Sequence, residues 1–180
     1  MKNIFTFLYL CLTLITFILY GQEGEKGFSI GDTFPTFAST DVYGKEVNTE
    51  KLNGKVLLVT IEHFDDPEPS AIERTKAYAF YTAHKDEGLE AVRIASKRGV
   101  PFFISKSFVE RKEREDLKEH NENWTTIIDW DGALKKLFNM TNEPLVFVVD
   151  KLGIIRYKEK GVFIVDNSLE ELIKKLLKGK

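Results

Sequence analysis

The chain has a single cysteine, Cys11, in 180 residues. That residue sits inside the only long apolar run, and the small residues a lipid-attachment site needs are missing from Leu8-Tyr9-Leu10 before it. Past residue 21 there is no thiol, so the remainder holds no disulfide and runs no thiol chemistry. Histidine is scarce as well: His63, His84 and His120 are the three, too few for a usual zinc or copper ligand set. No excess of either charge exists, with a formal net charge of -2, which removes the electrostatic case for nucleic acid. Internal repeats and low-complexity stretches are absent.

What is present begins with Met1-Lys2-Asn3 and an uncharged, mostly apolar stretch from Ile4 to Tyr20. The pattern is that of a secretory signal, residues 1–21, with cleavage after Gly21, although Leu19 is a poor match to the small-residue rule. An uncleaved membrane anchor is the alternative, since a span needs about 20 apolar residues. Residues 22–27 form a polar linker and residues 28–180 one domain, large enough to bury a substantial core. Export to a periplasm or to the medium follows from this reading, and a membrane enters only if the segment stays uncleaved. Asn123-Trp124-Thr125 and Asn139-Met140-Thr141 fit glycosylation acceptors.

Gly54 to Ile61 reads as a strand buried on both faces, because apolar residues dominate it without strict alternation. It stops at Glu62-His63-Phe64-Asp65-Asp66-Pro67-Glu68-Pro69 and opens a helix, with Ser70-Ala71-Ile72-Glu73 matching a capping box and Asp66-Pro67 a competing start. Phe28, Ile30, Phe34 and Phe37 are spaced as anchors on a sheet, and Asp41 to Val47 is predicted to be a hairpin tip turning at Gly44. The first helix is predicted to carry Ala71, Ile72, Thr75, Tyr78, Ala79 and Thr82 on one side. A break at Lys85 to Gly88 precedes a second helical piece, for which a strand over Leu89–Ser96 is the alternative. Val100 to Ser105 is the stronger strand candidate by composition.

Phe108 to His120 reads as a solvated, charge-laced helix. Trp124–Ile128 is a short strand, Asp129 to Gly132 a turn, and Ala133, Leu134, Leu137 and Phe138 the apolar side of a small helix. Pro144–Asp150 is a second buried strand, folded back at Leu152-Gly153 through Ile154–Tyr157. Leu169, Leu172, Ile173, Leu176 and Leu177 mark one face of a last helix, capped by Ser168 and Glu171 and closed by Gly179.

This order of elements resembles the thioredoxin-like redoxins, the group of thiol-disulfide oxidoreductases, alkyl hydroperoxide reductases and thiol-specific antioxidants. Gly31-Asp32-Thr33-Phe34-Pro35-Thr36-Phe37 is similar to the family's opening motif, Leu52-Asn53-Gly54-Lys55 to its Leu-x-Gly-Lys step, Asp129 to Leu134 to its Asp-x-x-Gly step, and Pro144 to Gly153 to its proline, strand and turn. The resemblance implies an α/β thioredoxin-like fold: a central mixed β-sheet flanked by helices, with an N-terminal β-hairpin extension. It also implies a Cys-x-x-Cys pair, or a peroxidatic cysteine, at the start of the first helix. Counted from Gly54 that pair falls at Asp66 and Pro69, so the chain carries Asp66-Pro67-Glu68-Pro69 instead. A carboxylate uses the amides that stabilise a thiolate, but it does not cycle electrons.

Pro144 matches the family proline whose preceding bond is cis, and Glu143 the residue that presents its backbone to an extended peptide. The expected site is therefore a peptide groove formed by Phe64, Asp65, Asp66, Pro67, Glu68, Pro69, Glu143 and Pro144, with an extended peptide or exported protein as partner and no cofactor. The alternative is a metal-assisted or carboxylate-based catalyst on His63, Asp65, Asp66 and Glu68. Against it, Asp66 and Glu68 also serve as helix caps and His63 as a loop residue. Thiol oxidoreductase or antioxidant activity is implied by family name only.

Overall fold

In the computed structural model, residues 27–64 and 69–179 are described. The strand from Val56 to His63, β3, is buried at every position and lies third in a five-stranded sheet of order β5-β4-β3-β6-β7. Its partners explain the continuous apolar run. β4 (Leu89–Ser96) pairs with it in parallel from Val56↔Leu89 to His63↔Ser96, and β6 (Leu145–Val149) antiparallel from Leu57↔Val149 to Ile61↔Leu145. β5 (Thr125–Asp129) extends the sheet parallel to β4, and β7 (Ile155–Lys160) closes the other side as a hairpin with β6. β1 (Ala38–Thr40) and β2 (Glu46–Asn48) form the small N-terminal hairpin. Gly44, at φ 84°, supplies its turn.

Both faces of this sheet are covered, as a strand without alternation requires. Val56 and Leu58 face a core with Ala77 and Phe80 of α1 (Pro69–His84), Val109 and Leu117 of α2 (Lys106–Glu119), and Leu169 and Ile173 of α4 (Asn167–Lys178). Leu57, Val59 and Ile61 face Phe34, Val47 and Leu134, the last from the short α3 (Ala133–Leu137). Phe138 joins that second core, its ring centroid 5.4 Å from Phe34 and 5.6 Å from Phe147.

Several sequence expectations are corrected. Leu89–Ser96 is a strand, because its partners β3 and β5 bury it on both sides. Val100 to Ser105 pairs with nothing in the sheet, and Phe102 is 100 % exposed. α1 buries Glu73, Ala77, Phe80 and His84, while Ile72 is exposed, so the inward face lies on the opposite side from the predicted stripe. Glu73 does not complete a capping box with its carboxylate committed elsewhere: it accepts from the Phe163 amide and from Lys76 Nζ. His84 is buried, with Nδ1 3.2 Å from Glu87 Oε1 and Nε2 3.0 Å from Glu170 Oε2. α4 is capped by Asp166, which accepts from the Leu169 amide, in place of Ser168.

Among the described residues no helix is long and apolar enough to cross a membrane. The stretch from Ile4 to Tyr20, together with the signal or anchor reading of it, lies outside the described residues.

Candidate functional site

In an open sheet the loops after neighbouring parallel strands share one edge. Here the Phe64 amide continues the β3–β4 ladder by one step, donating to the Ser96 carbonyl at 3.1 Å. Phe64 is half-buried against the helix-side core, and α1 opens at Pro69. Asp65, Asp66, Pro67 and Glu68 lie between these points, outside the described residues.

The second half of the predicted groove comes from the antiparallel neighbour. Ile61 pairs with Leu145, so Pro144 and Glu143 arrive beside the end of β3. His63, 1 % exposed, fastens the two segments, because its Nε2 lies 3.1 Å from the Thr141 carbonyl and must donate to it. That tautomer leaves Nδ1 as a buried acceptor with no partner. Pro144 accepts the Gly161 amide at 2.9 Å, and exposed Glu143 pairs with Lys160 at 3.0 Å. The geometry thus brings Phe64, Glu143 and Pro144 to one edge and places His63 beneath them.

One expectation fails here. Among the described residues there is no cis peptide bond, so the bond between Glu143 and Pro144 is trans. The trans form is the ordinary preference of an X–Pro bond, by about 0.5–1 kcal/mol. Among the same residues no three His, Cys, Asp or Glu side chains gather as a metal site.

A feature the sequence reading missed lies on the other face of β3. Glu62 is 2 % exposed and accepts from Arg93 Nε at 2.5 Å. Arg93, equally buried, reaches Glu113 of α2 with Nη1. Arg74 of α1 extends the network, donating from Nε to Glu122 at 2.8 Å and from Nη1 to Asp116. Burial pushes the Glu62 carboxyl up against the pull of Arg93. Burial works against the Arg93 charge too, but the two carboxylates outweigh it and hold the guanidinium above its ordinary value. The signal in the sequence was a charge of each sign, Glu62 and Arg93, within two stretches rich in apolar residues.

Comparison with known proteins agrees with this architecture. The Redoxin family model matches residues 29–173. This chain belongs to the Redoxin family. The redoxin is 25% identical over 154 residues to the thiol-disulfide oxidoreductase ResA of Bacillus thuringiensis subsp. konkukian (strain 97-27), covering 84% of this chain and 81% of that protein. Among solved structures it is similar to a thiol:disulfide interchange protein of the thioredoxin family from Chlorobium tepidum TLS, at a TM-score of 0.64 and 18% identity, covering 83% of this chain and 99% of that one. A thiol:disulfide interchange protein from Bacteroides sp. gives a TM-score of 0.63 at 19% identity, covering 84% and 92%. The redoxin therefore has a thioredoxin-like fold: a mixed five-stranded sheet flanked by helices, with a small antiparallel hairpin near the N-terminus.

Proposed function

We propose that this redoxin works without thiol chemistry, as an exported, non-catalytic binding or accessory module. The observation that carries the reading is the absence of cysteine from the whole matched region, residues 29–173, in a family whose relatives here are named for thiol-disulfide exchange. Where the resemblance puts the redox pair stand Asp66-Pro67-Glu68-Pro69. Proline supplies no nucleophile, and a carboxylate carries no electrons.

What stays is an edge suited to an extended polypeptide. The β3–β6 register, which pairs Ile61 with Leu145, supports reading Phe64 and the 143–144 segment as sides of one groove, and main-chain pairing with a guest strand needs no sulfur. Export, to a periplasm or the medium, is supported by the signal-like segment from Ile4 to Tyr20. A pull-down from the exported protein fraction tests the groove, with the protein run beside its Asp66→Ala/Pro144→Ala variant. A partner held by the protein and lost by the variant is the expected result; identical retention by both contradicts the groove.

A second reading rests on the buried, unpartnered Nδ1 of His63, next in the chain to Phe64, Asp65, Asp66 and Glu68: a metal- or carboxylate-dependent catalyst. Calorimetric titration with Mn, Zn, Cu and Ca tests it. It requires binding at micromolar levels that His63→Ala removes.

A further inference from the structure

Arg111, Arg114 and Lys118 follow one another at three and four residues along α2, so they share one face of the helix. Together with Tyr43, at the tip of the β1–β2 hairpin, they line a crevice of about 410 Å³. That volume falls in the range of about 300–1,000 Å³ usual for small-molecule sites. Both walls are fixed by the fold. The Val42 amide donates to the Thr126 carbonyl at 2.9 Å, which fastens the hairpin tip to the outer edge of β5. Arg114 donates from Nη1 to the Val42 carbonyl and so ties α2 to that tip. Leu117, buried in the helix-side core, adds an apolar part to the lining.

The charges around this crevice do not neutralise one another. Both acids in its lining are engaged by groups outside it: Glu115 by Lys112 at 3.0 Å, and Glu122 by Arg74 at 2.8 Å, with the Trp124 indole as a second donor. The cations have no such partners. Among the described residues Arg111 and Lys118 pair with no carboxylate, and Arg111 instead lies 5.3 Å from the Phe108 ring centroid. The acceptor of Arg114 is a neutral carbonyl. Glu115 feels Arg111 and Arg114 as well, but less strongly than it feels Lys112. Tyr43, 62 % exposed, contributes a ring that neither core takes up.

We infer that this crevice binds a small phosphate monoester, with the phosphate held among Arg111, Arg114 and Lys118 and the organic part laid against Tyr43. Near neutral pH such a group carries a charge of about −1.5 to −2 and three acceptor oxygens, which suits a set of cations without carboxylate partners better than a single carboxylate does. Guanidinium N–H groups meet phosphate oxygens two at a time, and an exposed aromatic ring supplies stacking surface. The inference does not draw on the peptide-groove reading and stands if that reading fails.

Calorimetric titration of the purified full chain with phenyl phosphate, inorganic phosphate and phthalate, at low and at physiological salt, tests the site. Expected is saturable binding of phenyl phosphate, tighter than that of inorganic phosphate and weakened by salt. Arg111→Gln/Lys118→Gln is expected to weaken it by about tenfold or more, whereas Lys175→Gln/Lys178→Gln, which removes the same charge from exposed positions of α4, leaves it unchanged. Tyr43→Ala is expected to abolish the preference for phenyl phosphate over inorganic phosphate. Absence of saturable binding by either phosphate overturns the inference, as does equal binding by the two double variants. Phthalate bound as tightly as phenyl phosphate overturns the assignment to a phosphate, and a preference that survives Tyr43→Ala overturns the placement of the organic part.

Discussion

Asp150 organises the turn between β6 and β7 with both carboxylate oxygens. Oδ1 accepts the Leu152 and Ile154 amides, each at 2.9 Å, and Oδ2 accepts Arg156 Nε at 2.6 Å. Burial alone would raise this carboxyl, but the amides and the guanidinium outweigh it and hold it below the ordinary 3.8. A carboxylate so depressed contributes stability above its unfolded value, lost as pH falls through the folded one. Asp150→Ala is expected to cost about 1–3 kcal/mol near neutral pH, by the amides it orphans, and Asp150→Asn to flatten the acid limb of stability against pH. Urea melts across that range measure both.

Glu62 carries the opposite sign. Its carboxyl is raised above 4.5, so the folded protein holds the proton longer than the unfolded chain, and this contribution to stability declines as pH rises above 4.5. Glu62→Gln is expected to remove that decline. Arg93→Met strands Glu62 and Glu113 without their shared cation and is expected to destabilise by about 3–5 kcal/mol, read by the same melts. Loss below about 1 kcal/mol would mean that the network is solvated.

At the scale of elements, α4 tests how a cap is chosen. Ser168 and Glu171 satisfy the sequence rule, yet Asp166, two residues earlier, takes the Leu169 amide. Asp166→Ala is expected to cost about 1 kcal/mol, and Ser168→Ala to stay within about 0.5 kcal/mol, both by thermal or urea unfolding. The same lesson holds elsewhere. β3, β6, the β6–β7 hairpin and the Gly44 turn were legible because composition and turn residues agreed there. β4 was obscured by Glu90, half exposed and 3.9 Å from Lys55, and by Arg93, whose charge is met by Glu62 on the neighbouring strand and by Glu113 of α2. α1 was misread in facing because its inward side contains Glu73 and His84, buried through partners at Phe163, Lys76, Glu87 and Glu170. Val100 to Ser105 has strand composition but no neighbouring strand to pair with.

For the whole molecule, the thioredoxin-like fold was readable from short motifs spread from Gly31 to Gly153, each a local backbone requirement. The site was readable only in part. The lack of cysteine was plain in the sequence, whereas the trans Glu143–Pro144 bond and the network beneath β3 depend on distant residues meeting. The sheet and helices are those of the thioredoxin-like fold while the matched region, residues 29–173, holds no cysteine, and the proposal built on this is that the protein does not turn over disulfides or hydroperoxides.

The most direct measurement is turnover of a protein disulfide and of a hydroperoxide by the purified full chain, in parallel with its Cys11→Ser variant. No turnover above the uncatalysed rate by either protein is the expected result. Turnover by the full chain that the Cys11→Ser variant lacks would show Cys11 to be a working thiol, and turnover by both would show redox chemistry without cysteine; either contradicts the claim.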